Sequence, residues 1–286
     1  MSPGRGADGP LVPEDLDATL VLLRHGESTF VAEGRFQGQA ETPLSPAGLA
    51  QADLAAARLA SPHGSPSLPV PRGEAIEIIH SPLRRTTQTA ELLERAMSAR
   101  SGTADGTGAR SAPLPVRRPD RAFLEIGQGE WEGLLHTEIS SRWSTELAAW
   151  RRRPLEAWAP GGESLKEVRA RVVPGLHRII AVLGAAPAGG PGRRDHVLGY
   201  GDPVSDQPWS ILVGHDGVFK IVLLALFDLP LERFWTFPFA LCGISVIEFR
   251  AGRASLRAHN LTEHLAPLLD ERSQALTEAR QRSGAL

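Results

Sequence analysis

The chain has 286 residues and is poor in cysteine, tyrosine, methionine and lysine: it holds one cysteine, Cys242, one tyrosine, two methionines and two lysines, Lys166 and Lys220. A lone cysteine excludes a disulfide framework and a multi-cysteine metal site, and nothing in it points to secretion. Cys242 reads as a small buried residue. Long apolar runs are also missing. The most apolar stretch, Val218 to Leu229, is broken by Lys220 and Asp228 and falls well short of the roughly 20 residues a spanning helix needs, so no membrane partner is expected. Residues 1–17 are rich in Gly, Pro and acids with no apolar core segment, unlike a signal peptide; they are expected to form a flexible tail, and the cytoplasm is the expected location. An excess of one charge sign is absent as well. The 33 acids stand against 31 bases for a net charge of −2, which argues against non-specific attraction to nucleic acid or anionic lipid.

What remains is ordinary globular usage, 42% hydrophobic and 22% charged, in a length that one large core with insertions can hold. Ala18 to Leu23, Ala75 to Ile79 and Ile211 to Val213 are short apolar runs with little alternation, as expected of strands buried on both faces. Ile244 to Phe249 reads as a further strand, and Leu256, after the Ala251-Gly252 turn, as part of an edge strand. Helices alternate with these runs. Ser45-Pro46 offers an N-cap followed by Pro in the first turn, and Ser81-Pro82 repeats the pattern. Ser164 and Glu167 fit a capping box ahead of a helix carrying Leu165, Val168, Val172, Leu176 and Ile179 on one face, with a kink expected at Pro174. The class is α/β: a doubly wound, mostly parallel sheet flanked by helices, with residues 18–286 as one domain. Segments near 98–115 and 184–208 are expected as mobile insertions; the second holds six Gly and four Pro.

The placement of basic residues carries the chemistry. Arg24-His25-Gly26-Glu27 follows the first buried strand, His80-Ser81-Pro82-Leu83-Arg84-Arg85 the second, and Gly214-His215-Asp216-Gly217 a later one. In open parallel sheets ligands bind beyond the carboxyl ends of the strands. His25, His215 and at least two arginines are thereby delivered to one edge, a place suited to a dianion such as phosphate. Each charge-assisted contact from an arginine fork contributes about 1.5 to 3 kcal/mol, and a helix N-terminus beside Arg85 would add its own donors.

These residues resemble the histidine phosphatase superfamily in its phosphoglycerate-mutase-like branch. Arg24-His25-Gly26-Glu27 is similar to that family's R-H-G-E signature, Gly34-Arg35-Phe36-Gln37-Gly38 to its G-R-x-Q-G loop, and Pro43-Leu44-Ser45 with Gly48 to its P-L-[ST]-x-x-G helix start. Ser81, Leu83, Arg85 and Thr89-Ala90 resemble its next helix, Glu125 with Trp131-Glu132-Gly133 its acid block, Gly162-Glu163-Ser164 its G-E-S turn, and Val213-Gly214-His215 its second-histidine strand end. Seven blocks in the family's order span about residues 18–250. The resemblance implies that His25 is a nucleophile that becomes phosphohistidine, that Arg24, Gln37, Arg85 and His215 surround the phosphoryl group, and that Glu125 is the general acid and then the base. It implies neither a metal nor another cofactor, and a small phosphomonoester as substrate.

Two positions depart from the pattern. Val31 stands where the family usually has Asn, a polar contact for which Gln37 is a candidate replacement. Asp216, directly after the second histidine, stands where this branch often has Gly and competes with Glu125 as proton donor; the block around Glu125 favours Glu125. Arg84, Arg117, Arg118 and the run Arg151 to Arg153 read as solvated residues, His80 and His136 as structural, and the tryptophans at 131, 143, 150, 158 and 209 as packing residues. Phe30, Phe36, Trp131 and Trp143 are candidates for an apolar wall. The segment Ile126 to Gly133 is acidic and adds no cation, which favours a phosphatase over a bisphosphoglycerate-dependent phosphoglycerate mutase. A non-catalytic phosphate-binding module is the third reading. Partnership with a second copy, in a homodimer, stays open.

Overall fold

The computed structural model describes residues 10–101, 114–187 and 207–269. Residues 1–9 and most of the two expected insertions, 102–113 and 188–206, lie outside them. In chain order the elements are β1 (Ala18–Arg24), α1 (Thr29–Ala32), α2 (Pro46–Ala60), β2 (Glu77–His80), α3 (Arg84–Ser101), β3 (Val116–Pro119), α4 (His136–Arg142), α5 (Ser144–Arg152), α6 (Leu165–Ala185), β4 (Trp209–Gly214), α7 (Asp216–Leu226), β5 (Ile244–Arg250) and β6 (Arg253–Leu261).

The strands form one sheet in the order β3-β2-β4-β1-β5-β6. The first four run parallel, whereas β5 and β6 are antiparallel additions. Why β1 shows no alternation is visible in its packing. Leu20 and Leu22 enter an apolar cluster that includes α6 and α7, while Val21 and Leu23 enter a second one that includes α2 and α3. A strand with helices over both faces reads as a nearly continuous apolar run, here Leu20 to Leu23. Its order of crossovers puts the carboxyl ends of β1, β2 and β4 side by side, with Arg24 in register with Gly214 and His80 with Val213.

Local signals are realised with two exceptions. Ser45 caps α2 by accepting the Gly48 N–H at 3.0 Å, and Ser164 and Glu167 form the reciprocal capping box of α6. The Ser81-Pro82 start is not realised: α3 begins at Arg84, and Ser81 Oγ only reaches the Leu83 N–H at 3.5 Å. β3 is the second exception. Arg117 and Arg118, expected in solvent, lie on this edge strand and pair with Glu94 and Glu77 at 2.7 and 2.8 Å. The described part of the expected tail is also packed, since Val12 and Leu16 are buried against α6 and its neighbours. α6 continues through Pro174 to Ala185, and α3 takes in residues 98–101 of the first expected insertion. Among the described residues no helix is long and apolar enough to cross a membrane.

Candidate active site

The strand ends place the site. Beyond β1 the His25 N–H donates to the Gly214 carbonyl at 3.0 Å, and beyond β2 the Ser81 N–H donates to the Val213 carbonyl at 3.1 Å. The chain after His25 turns against the start of α2. A Cβ on Gly26 would lie 2.3 Å from the Gly48 carbonyl oxygen, and one on Gly48 would lie 1.9 Å from the Glu27 carbonyl oxygen. Only glycine at both positions lets the two segments touch backbone to backbone. Glu27 completes the junction by accepting from the Ser45 hydroxyl at 2.7 Å.

His25 is 1% exposed. Its Nδ1 lies 2.6 Å from the Gly26 carbonyl oxygen. A carbonyl only accepts, so Nδ1 carries the hydrogen and Nε2 keeps the lone pair. Burial, then the guanidinium groups of Arg85 and Arg24, push the pKa of His25 well below its ordinary value of 6.5. The ring is therefore neutral at pH 7, the form that can act as a nucleophile. His215 is buried beside it, ring centroids 5.1 Å apart and planes at 62°. Burial and then Arg85 push its pKa well down too. The positive field over His25 thus comes from Arg24 and Arg85.

Arg85, in the first turn of α3, is fully buried, and burial lowers its pKa to about 10. Its terminal nitrogens donate to the carbonyls of Ala40 at 2.9 Å and Gly38 at 2.8 Å, which ties the 38–42 loop to the strand ends. Arg24 donates through Nη1 to the Phe239 carbonyl. The Nε atoms of both arginines and both ring nitrogens of His215 are buried without a partner among the described residues. Buried polar groups left so are costly, and this donor set around a neutral imidazole suits a phosphoryl anion.

Glu125 approaches from the other side. Its carboxylate accepts the backbone N–H groups of Gly217 at 3.2 Å and Val218 at 3.0 Å, in the first turn of α7. A Cβ on Gly217 would sit 2.7 Å from Glu125 Oε1, so the absence of a side chain there makes the approach available. The Glu125 backbone is fixed from behind: Arg171 on α6 donates to its carbonyl at 2.9 Å, to that of Leu124 at 2.8 Å and to the Glu163 carboxylate at 2.8 Å. Gln39 bridges the same Glu125 carbonyl and Glu163 at 3.0 and 2.9 Å. Sequence reasoning passed over Arg171 and Gln39. Arg171 falls beside an apolar stripe on a helix and reads as solvated from spacing alone.

A cavity of about 270 Å³ opens beside these groups, lined by Arg24, Gln37 and Glu125 from the expected set. His25, Arg85 and His215 are buried outside its lining; His25 follows Arg24 and His215 precedes Asp216, which also lines it. Gln37 is held by the hydroxyls of Ser28 and Thr42. Val31 contributes its N–H to Ser28 Oγ at 3.2 Å. Asp216 does not stand free as a rival acid, because Lys220, one turn on, is ion-paired to it. The aromatic wall differs from expectation. Phe36 belongs to it, but Trp131 is fully buried and Phe30 and Trp143 are not part of the lining; Trp150, Phe234 and Trp235 supply the rest. Among the described residues no group of three or more His, Cys, Asp or Glu is placed to hold a metal ion.

Comparison with known proteins agrees with this fold. The phosphoserine phosphatase 1 of Hydrogenobacter thermophilus is 27% identical over 261 residues, covering 90% of this chain and 99% of its own. A glucosyl-3-phosphoglycerate phosphatase of Mycolicibacterium vanbaalenii is 31% identical over 215 residues, covering 75% of this chain and 76% of its own. Among solved structures, a mycobacterial glucosyl-3-phosphoglycerate phosphatase in complex with inorganic phosphate superposes with a TM-score of 0.62 at 25% identity, over 86% of this chain and 99% of that one. The sequence pattern of branch 1 of the histidine phosphatase superfamily matches residues 20–185 and 203–262, and the chain belongs to that family.

Proposed function

We propose that this phosphatase hydrolyses a small phosphomonoester in two steps through His25, with Glu125 as the proton carrier. In the first step the Nε2 lone pair of His25 forms a bond to phosphorus as the bond to the ester oxygen breaks, and Glu125 gives its proton to the departing alkoxide. In the second, Glu125 takes a proton from water, the water oxygen bonds to phosphorus, and the N–P bond breaks to release phosphate and free His25. Arg24, Arg85 and His215 stabilise the transferring group, and Gln37 sits at its margin. The phosphoryl group reaches inward to His25 and the leaving group stays in the cavity. The observation that carries this reading is the His25 Nδ1 contact to the Gly26 carbonyl at 2.6 Å, which commits Nε2 to the nucleophilic form.

The test is phosphate release from sugar phosphates, phosphoglycerates, nucleotides and an aryl phosphate in excess EDTA, comparing the parent with His25→Ala. Turnover is expected to survive chelation and to vanish in the variant. Isomerisation of 3-phosphoglycerate outrunning phosphate release, after priming with the bisphosphate, would overturn hydrolysis in favour of the mutase.

A further inference from the structure

We propose that the ester carries an uncharged, ring-bearing leaving group with hydroxyls, and that Asp216 and Trp235 select it. This rests on the hydrolytic reading above. The cavity of about 270 Å³ has space for a single ring, since an apolar cavity of about 150 Å³ already admits benzene. Its wall is aromatic, and Trp235 is its most exposed ring at 47%. That ring is held in place: it meets Phe234 edge to face with centroids 4.7 Å apart and Trp150 at 5.7 Å. A braced, half-exposed indole at the mouth of a site is a stacking platform that gives up little entropy on binding.

Charge decides the rest. The charged groups lining the cavity are Arg24, Glu125 and Asp216. Arg24 serves the phosphoryl end and Glu125 holds the proton it donates, which leaves the carboxylate of Asp216 facing the leaving group. The cation paired with Asp216, Lys220, is outside that lining: its side chain is 7% exposed and seated 5.6 and 5.4 Å from the ring centroids of Phe234 and Trp235, so the carboxylate and not the ammonium faces the cavity. A carboxylate or second phosphate on the leaving group would therefore meet the Asp216 carboxylate in a confined space whose described lining holds no cation but Arg24. Hydroxyls, in contrast, find an acceptor in the 31%-exposed side chain of Asp216, fixed by Lys220.

Matched pairs test this: phenyl phosphate against 4-carboxyphenyl phosphate, and glucose 1-phosphate against glucose 1,6-bisphosphate, each assayed by initial phosphate release. The parent is expected to prefer the uncharged member by about tenfold or more in kcat/KM. Asp216→Asn is expected to narrow that ratio at least about threefold, because a like charge is gone. A merely structural residue would depress both members together and leave the ratio alone. Trp235→Ala, an exposed position, is expected to raise KM for both ring esters relative to ringless glycerol 1-phosphate. Equal or better use of the charged members, or a ratio unmoved in Asp216→Asn, overturns the substrate class while hydrolysis itself stands. If the folded parent hydrolyses none of these esters, the hydrolytic reading falls and the substrate class with it.

Discussion

The carboxylate of Glu125 accepts the backbone N–H of Val218 at 3.0 Å, so the acid carried by one loop is steered by the first turn of the helix that follows His215. The second N–H, from Gly217, leaves the carboxyl group little freedom to rotate away. An acid fixed in this way acts on a leaving oxygen at one position. Glu125→Gln keeps the shape and loses the transferable proton. It is expected to slow esters with alkyl leaving groups by about 10² to 10⁴-fold while an activated aryl phosphate loses far less, since its leaving group needs little protonation. Parallel kcat/KM measurements on the two ester types check this, and equal losses would move the proton to Asp216.

Gly217 provides a second test of the same contact without touching an ionisable group. An added methyl would lie 2.7 Å from both Glu125 Oε1 and Ile126 Cδ1. Gly217→Ala is therefore expected to displace Glu125 and to reproduce the leaving-group dependence of Glu125→Gln in weaker form. Overpacking of this kind costs about 1 to 3 kcal/mol of stability, so thermal unfolding should register a modest loss alongside the kinetic one. An unchanged ratio between alkyl and aryl esters would separate Glu125 from leaving-group protonation.

The acid limb of the pH profile reports on His25. Its pKa is held well below 6.5 by burial, Arg85 and Arg24, so activity is expected to persist below pH 6.5 and to fail only where His25 takes up a proton. Removing a neighbouring cation lessens the depression. Arg24→Gln is expected to move the acid limb of kcat/KM to higher pH, apart from its loss of rate. The substrate phosphate itself titrates near about 6, but it does so equally in both proteins, and the displacement between their profiles is the readout. Coincident acid limbs would contradict the electrostatic account.

What could be read from the sequence follows from where the chemistry sits. Arg24 ends β1, His25 and His215 directly follow buried strands, and Arg85 lies in the first turn of the helix after β2, so locating β1, β2 and β4 is enough to bring them together. Glu125 has no such marker; it was legible through the resemblance of its surrounding block. The cavity wall was not legible. Trp150 comes from α5, and Phe234 and Trp235 from a short 3-10 turn over Leu231–Thr236, and neither segment carries a spacing that says which side of the sheet it will cover. Lys220 shows the same limit. From spacing it merely interrupts an apolar helix, yet in three dimensions it joins Asp216 to two rings. β3 was missed because an exposed edge of four residues with two arginines and a proline has neither the apolar run of a central strand nor a clear alternation.

The two site histidines also tie stability to pH. His25 and His215 are buried with pKa values pushed well below 6.5. Above pH 6.5 both are neutral in the folded and unfolded chains and contribute no pH dependence. As pH falls below 6.5 the unfolded chain takes up protons that the folded site refuses, so the unfolded state binds more protons and stability must drop as the solution is acidified. Each such histidine steepens the dependence by up to about 1.4 kcal/mol per pH unit until its folded pKa is reached. His215→Gln removes one of the two. It is expected to flatten the slope of unfolding free energy against pH between about 6.5 and 5 by up to that amount, whatever its effect on the absolute stability. Denaturant titrations of parent and variant across that range measure the two slopes. Identical slopes would mean that His215 is protonated in the folded protein, and the positive field over His25 would then include it.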